Sequence, residues 1–265
     1  MPIRAPNGWG AARRSIASRS RVVGYTARMM SAPPAAIPTV DDPTPSAPPT
    51  TLLLVRHTEV HNPDRVLYGR LPRFRLSDYG RKQAERTAAF LADRPVAAIY
   101  SSPLLRARQT ADLIARYHPD ATRHVSTLLH EVGSGWHGTP VATFKPGFVV
   151  YQERRQPGDE ALEDVAARMV RFVLRARRRH PGACVVAVSH GDPISALRVV
   201  LSGRELTLAS VRGHDYAALG SVTDITYQPG EARPRVAYLT VPWTVVNADY
   251  GARNAESARS PAAGG

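Results

Sequence analysis

The chain has 265 residues and a formal net charge of +13, room for one sizeable α/β domain with a real core or for two small ones. The charge comes from 33 arginines and only two lysines, Lys82 and Lys145; that skew reads as coding bias, and without interleaved aromatic and basic residues no nucleic-acid partner is expected, although a basic protein attracts anionic substrates. The single cysteine, Cys184, rules out an intramolecular disulfide and a Cys-rich zinc site, and no apolar stretch approaches the roughly 18 residues of a membrane span.

Residues 1–50 differ in composition from the rest. They hold six arginines, no acid before Asp41, and many Ala, Ser and Pro, which predicts a disordered basic and Pro-rich extension. Residues 1–28 have a transit-peptide composition. No compact apolar segment precedes a cleavage site, however, and Met29 and Met30 offer later starts. The favoured reading is a mis-assigned start and a cytoplasmic protein.

From Thr51 onward strands and helices alternate. Thr51 to Arg56 reads as a strand. Asp78 to Arg94 reads as a helix with Ala84, Thr87, Ala88 and Leu91 on one face, stopped by Pro95. Val96 to Ser101 reads as a strand, and Pro103 opens a helix over Leu104 to Tyr117 that Pro119 ends. Thr139 to about residue 160 reads as a short cap. Leu162, Val165, Ala166, Met169, Val170, Val173 and Leu174 give a long amphipathic stripe, with Arg175 to His180 at its C-terminal end. Pro181-Gly182 breaks that helix. Ala183 to Ser189 is an apolar strand in which Cys184 is a small core residue, followed by a helix from Pro193 to Ser202. Gly220 to Tyr227 and Arg235 to Val241 read as two further strands, and residues 246–265 as a disordered tail. The alternation predicts a three-layer α/β/α sandwich with a mostly parallel central sheet, and one domain spanning residues 51–245.

Certain residues then collect where open α/β sheets bind ligands, outside the carboxyl ends of the strands. Arg56 and His57 close the first strand, Arg106 follows the second, and His190 closes the third. Arginine is a planar fork for phosphate oxygens, and a neutral histidine is a nucleophile near pH 7. Nearby arginines would lower the pKa of His57 and favour that form. Phosphoryl transfer needs this combination of positioned donors and an in-line nucleophile, together with a proton for the leaving oxygen.

The order of motifs is more telling than any single one. Arg56-His57-Thr58 is followed by Gly69-Arg-Leu-Pro-Arg-Phe-Arg-Leu-Ser77 leading into Gly80-Arg-Lys-Gln83-Ala84. Then come Tyr100-Ser-Ser-Pro103-Leu-Leu-Arg106-Ala-Arg-Gln109-Thr110-Ala111, His130-Glu131-Val-Gly-Ser-Gly135-Trp136-His-Gly138 and Val188-Ser189-His190-Gly191. This series resembles the histidine phosphatase superfamily, of phosphoglycerate-mutase-like fold, over about residues 51 to 242. The resemblance implies phosphomonoester hydrolysis through a phosphohistidine on His57. Arg56, Arg106, His190 and Asn62 would hold the phosphate, and Glu131 would protonate the leaving group. It implies a small phosphorylated substrate and neither metal nor cofactor, since arginines supply the charge stabilisation. Oligomeric state is not readable. A phosphoglycerate-type mutase and a catalytically weak phospho-ligand-binding relative are the alternatives; the short cap favours the phosphatase, because water should reach the phosphohistidine. The chain departs from the family pattern at Thr58, where Gly is usual, in the close spacing of His57 and Asn62, and at His137, where an acid usually follows Trp136.

Overall fold

The computed structural model describes residues 47–145, 148, 150–151, 157–239 and 241–242. Of the extension expected to be disordered over residues 1–50, residues 1–46 lie outside the described residues, as do the 246–265 tail and Arg154 and Arg155 of the cap, whereas Thr50 belongs to the first strand.

The first strand, β1 (Thr50–Arg56), is buried on both sides because it lies inside the sheet. Strands β2 (Val96–Ser101), β3 (Thr122–Val125), β4 (Cys184–Ser189), β5 (Val222–Tyr227) and β6 (Arg235–Leu239) complete a six-stranded sheet in the order β3-β2-β4-β1-β5-β6. The pairs β1–β4, β2–β4 and β2–β3 are parallel, whereas β5 and β6 add an antiparallel edge.

Period-two alternation divides the core into two faces. Leu53 and Val55 of β1 pack with Ala88, Leu91, Ala107, Ala111 and Ile114, which belong to helices α1 (Asp78–Leu91) and α2 (Leu105–Ala115). Leu52 and Leu54 pack with Met169, Phe172, Val173, Ile194 and Leu197, from α3 (Leu162–Arg179) and α4 (Gly191–Leu201). Helices thus cover both faces, and the chain is an α/β sandwich of three layers with a short further helix, α5 (Leu208–Val211). Cys184 lies in the first of these clusters, as expected of a small apolar residue. No helix among the described residues is long and apolar enough to cross a membrane.

Local chemistry explains the element ends. The Ser77 hydroxyl caps α1 by accepting the Gly80 N–H at 2.9 Å. The expected Asp78 to Arg94 helix stops at Leu91, because Ala92 to Arg94 turn back on Ala89 and Leu91 to feed β2. The expected α2 loses a residue or two at each end. The Asp164 carboxylate accepts the Ala161 N–H at 2.9 Å at the start of α3, and Arg177 to Arg179 sit in its last turn, where the macrodipole suits cations. Helix α4 begins at Gly191, two residues before the expected Pro193, so Pro193 occupies its first turn, where no N–H is needed.

Candidate active site

Register assembles the site. Arg56 of β1 lies opposite Ser189 of β4, and one more bond continues the ladder, from the His57 N–H to the Ser189 carbonyl at 3.0 Å. On the other side of β4, the Ser102 N–H reaches the Val188 carbonyl at 2.9 Å. His57, Ser102 and His190 therefore emerge side by side at the carboxyl edge of the sheet. Arg106 reaches them from the first turn of α2, and the N-terminus of α4, whose dipole favours anions, starts at His190.

His57 and His190 are almost wholly buried, with ring centroids 5.0 Å apart. The Nδ1 of His57 lies 2.8 Å from the Thr58 carbonyl. A carbonyl only accepts, so Nδ1 carries the proton and Nε2 the lone pair. Toward that lone pair Arg106 points its Nε at 3.1 Å. Burial, then the charges of Arg106 and Arg56, hold the His57 pKa well below its usual value, so the ring is neutral. His190 is held neutral by burial, then by Arg106 and His57.

Arg106 is fully buried. Its Nη2 donates to the Gly69 carbonyl at 2.7 Å and approaches His190 Nδ1 at 3.3 Å, and its guanidinium lies over the Tyr68 ring. Arg56 donates from Nη1 to the Ala217 carbonyl at 2.6 Å and lies over Tyr216. Two buried guanidinium nitrogens, Arg56 Nε and Arg106 Nη1, have no hydrogen-bond partner among the described residues. Unpaired charged donors are costly to bury, and Arg106 carries one of them beside the His57 lone pair. Gly191 is required for this approach, since a Cβ there would stand 2.2 Å from the Tyr216 hydroxyl and 3.1 Å from Arg56 Cζ.

Glu131 faces the same space, with Oε2 3.8 Å from His190 Nδ1 and Oε1 accepting its neighbour's N–H from Val132 at 2.9 Å. Burial, then the nearby Asp192 charge, raises its pKa against the opposing pull of Arg106. Its main chain rests on an ion-pair platform that sequence reasoning missed. Glu160 accepts from Arg168 Nε at 2.8 Å and from Arg70 Nη2 at 2.8 Å. Both arginines in turn donate to the Glu131 carbonyl, at 3.2 and 2.7 Å. Burial alone would raise the Glu160 pKa, but bonding to Arg168 outweighs it and the carboxyl is held low. The Ser189 hydroxyl pins the preceding loop through the Leu129 carbonyl at 2.8 Å.

A cavity of about 270 Å³ opens beside Glu131, walled by Asn62, Tyr68, His137, Val150, Asp192 and Tyr216 among others. Asp192 accepts from Tyr216 at 2.7 Å, Tyr151 at 2.9 Å and Arg212 at 2.7 Å. In the described part of the cap, Phe144 stacks on Phe148 at 4.1 Å, and Trp136 meets both edgewise.

Each departure noted in the sequence has a structural counterpart. Thr58 turns its hydroxyl to the Gly80 carbonyl at 2.7 Å, so its side chain faces α1 and only its carbonyl meets His57. Asn62 reaches the cavity wall, yet its amide clasps the Val66 backbone at both ends, Nδ2 to oxygen at 2.9 Å and Oδ1 to nitrogen at 3.2 Å. His137 packs on Gly69, where a Cβ would lie 2.0 Å from the ring. The structure thus brings together His57, Arg106, His190 and Glu131, sets Arg56 beside them, and keeps Asn62 on the rim with its amide engaged elsewhere. Tyr216, Arg212 and Asp192 had no motif or periodicity to single them out; Glu160 follows Pro157-Gly158-Asp159 just before the α3 stripe, a position that could have pointed to it.

Among the described residues no group of three or more His, Cys, Asp or Glu could hold a metal ion. The arrangement offers a nitrogen lone pair, cationic donors for an oxyanion and a carboxyl group with a raised pKa.

Comparison with known proteins places this geometry. A family model for the histidine phosphatase superfamily (branch 1) matches residues 52–239. An uncharacterised protein of Mycobacterium tuberculosis is 40% identical over 185 residues, 67% of this chain and 90% of its own. Phosphoserine phosphatase 1 of Hydrogenobacter thermophilus is 32% identical over 170 residues, 59% of this chain and 78% of its own. The solved structure of a mycobacterial glucosyl-3-phosphoglycerate phosphatase superposes with a TM-score of 0.61 at 27% identity, covering 72% of this chain and 97% of that one. The chain belongs to the histidine phosphatase superfamily.

Proposed function

We propose that the protein hydrolyses phosphomonoesters through a phosphohistidine on Nε2 of His57, with Glu131 as the proton donor. One observation carries this reading. A buried neutral histidine, its lone pair directed by the Thr58 carbonyl, stands near two guanidinium groups that each keep a buried N–H without a partner among the described residues. A phosphoryl group satisfies those donors and offers phosphorus to the lone pair.

In the first step the phosphoryl oxygens take the N–H groups of Arg56, Arg106 and His190, including the Arg106 Nε–H that now points at His57. The Nε2–P bond forms as the bond from phosphorus to the ester oxygen breaks, and the Glu131 carboxyl gives that oxygen its proton. In the second step the Glu131 carboxylate takes a proton from water, the water oxygen bonds to phosphorus, the P–N bond breaks and inorganic phosphate leaves. The raised pKa of Glu131 suits an acid that must hold a proton before the first step. The two arginines neutralise charge that a divalent cation handles in other phosphoryl-transfer enzymes, so the reaction needs no metal.

The test is phosphate release from p-nitrophenyl phosphate and a panel of phosphomonoesters, with chelator present. Phosphoserine and glucosyl-3-phosphoglycerate join the panel because relatives carry those names. Chelator-resistant release that vanishes in His57→Ala supports the reading. Release that persists in His57→Ala, or none from any ester, refutes it.

A further inference from the structure

His190 poses a problem that the phosphatase reading leaves open. Its neutral ring has one proton for two nitrogens. Nδ1 is the nitrogen on the reacting side, 3.3 Å from Arg106 Nη2 and 3.8 Å from Glu131 Oε2. In the structure as it stands a guanidinium reaches that nitrogen. A guanidinium only donates, so Nδ1 is the acceptor and the proton lies on Nε2. A phosphoryl oxygen at the same place also only accepts, and it requires the proton on Nδ1. The ring must therefore change tautomer between the two states, and the group that faces Nε2 decides whether both are tolerated.

That group is Ser102. Its Oγ lies 2.9 Å from His190 Nε2, and neither residue is exposed at all. The backbone around it is fixed, since its own N–H is tied to Val188 at 2.9 Å. The Leu104 N–H approaches a lone pair of Oγ at 3.4 Å, which leaves the hydroxyl proton available for the ring. A hydroxyl accepts from Nε2–H in one rotamer and donates to a bare Nε2 in the other, with no heavy atom moving. Carbonyls, carboxylates and ammonium groups support one tautomer only.

We propose that Ser102 is the positioning residue that lets His190 switch from the Nε2–H to the Nδ1–H tautomer when an oxyanion enters the site. The inference rests on the reading of this site as phosphate-binding. Proton count is conserved. The ring loses the Nε2 proton and gains one at Nδ1 by exchange with water, while Ser102 keeps its own proton and only rotates it. His190 then donates from Nδ1 to the oxyanion, and Ser102 donates to Nε2. With alanine at position 102 Nε2 has no partner in either tautomer, so nothing holds the ring with Nδ1–H toward the oxyanion and binding is weakened.

The experiment follows the imidazole nitrogens of His190 by ¹⁵N NMR, without and with inorganic phosphate, in the full chain. Assignment comes from the resonances lost in His190→Gln. Wild type should show Nε2–H without phosphate and Nδ1–H with it. Ser102→Ala should bind phosphate about tenfold more weakly, the size expected when a buried hydrogen bond that holds the ring is lost, and Ser102→Thr, which restores a hydroxyl, should recover most of that. In a His190→Gln background Ser102→Ala should cost nothing further, whereas a merely structural serine would still show its effect. Phosphate binding with an unchanged His190 tautomer, or with equal affinity in Ser102→Ala, overturns the role of Ser102 and leaves the phosphatase reading standing. A wild type that does not bind phosphate at all overturns both.

Discussion

Arg106 is a sharp test of whether the buried cation serves chemistry or architecture, and Arg106→Met separates the two. In the proposed transition state Arg106 offers Nε–H and Nη1–H to the phosphoryl group. Each hydrogen bond involving a charged group is worth about 1.5–3 kcal/mol, so losing both costs about 3–6 kcal/mol. That corresponds to a fall of about 10²- to 10⁴-fold in kcat/KM. Stability should behave differently. Arg106 is fully buried, and its contacts in the fold are neutral groups: His57 Nε2, the Gly69 carbonyl, His190 Nδ1 and the Tyr68 face. Replacing a buried charge by a well-packed apolar residue gains about 1–4 kcal/mol, and leaving the Gly69 carbonyl unpaired loses about 1–3 kcal/mol. The two nearly cancel, so the thermal midpoint should move by less than about 8 °C, the equivalent of about 2 kcal/mol in a domain of this size. Added phosphate should raise the midpoint of wild type and not of the variant, because only a bound ligand stabilises the folded state. Calorimetry beside p-nitrophenyl phosphate kinetics measures both. A variant that keeps more than a tenth of wild-type kcat/KM, or one that fails to fold, would refute the reasoning.

Other consequences follow from the same geometry. Glu131→Gln should slow hydrolysis of alkyl phosphates by about 10²- to 10⁴-fold. With p-nitrophenyl phosphate, whose leaving group needs little help, it should instead stall the second step and give a burst of nitrophenol; equal losses on both esters would contradict the acid–base role. Glu160→Gln removes the charge that Arg70 and Arg168 share under the Glu131 main chain. It should lower stability by about 3–5 kcal/mol, the cost of breaking a buried pair, as measured by urea unfolding; an unchanged midpoint would show the platform to be dispensable. His57 and His190 have folded pKa values well below the unfolded value of about 6.5. Unfolding therefore takes up protons, and stability should be full above pH 6.5 and fall as pH drops below it, by up to about 1.4 kcal/mol per pH unit for each ring. Glu131, whose folded pKa is raised, works in the opposite sense with one proton. Thermal midpoints between pH 5 and 7.5 test this, and a flat profile would argue against neutral buried rings. Thr58→Val should cost about 0.5–1.5 kcal/mol by removing the hydroxyl's hydrogen bond to the Gly80 carbonyl, and no loss would mean that the hydroxyl is not anchored to α1.

Much of this architecture was legible because its signals are periodic or local. The Leu52–Val55 run is apolar at consecutive positions, as a strand buried on both faces must be, and the stripe on α3 runs from Leu162 to Leu174, more than three turns. Strand β3, Thr122 to Val125, escaped notice because it is a four-residue edge with mostly exposed side chains and so carries no burial pattern. The segment from about 203 to 219 has no periodicity either, yet it supplies Arg212 and Tyr216 to the cavity wall. Asp192 read as an ordinary first-turn acid of a helix; only the fold shows it accepting from Tyr151 of one segment and from Arg212 and Tyr216 of another. Ser102 stood inside a quoted motif, but that it faces Nε2 of a histidine 88 residues away is a fact of strand order.

Strand order and register are where sequence becomes chemistry in this protein. Side chains alternate along a strand, so slipping β1 by one residue against β4 would exchange the faces of Leu53 and Leu54 and turn His57 away from Arg106. The two core clusters prevent the slip, since each needs its own alternate set from Leu52 to Val55. The antiparallel edge adds a second lock, through the Arg56 N–H to Ser221 carbonyl bond at 3.1 Å and the return bond from the Gly220 N–H to the Arg56 carbonyl at 3.0 Å. Arg56 is thus held by β4 on one side and by the turn before β5 on the other, with its guanidinium laid on Tyr216. A cation fixed in this way does not reorganise when charge develops beside it, and that is the condition under which electrostatic stabilisation is most effective. The apolar core of this sheet and the placement of the candidate site's side chains are consequences of the same register.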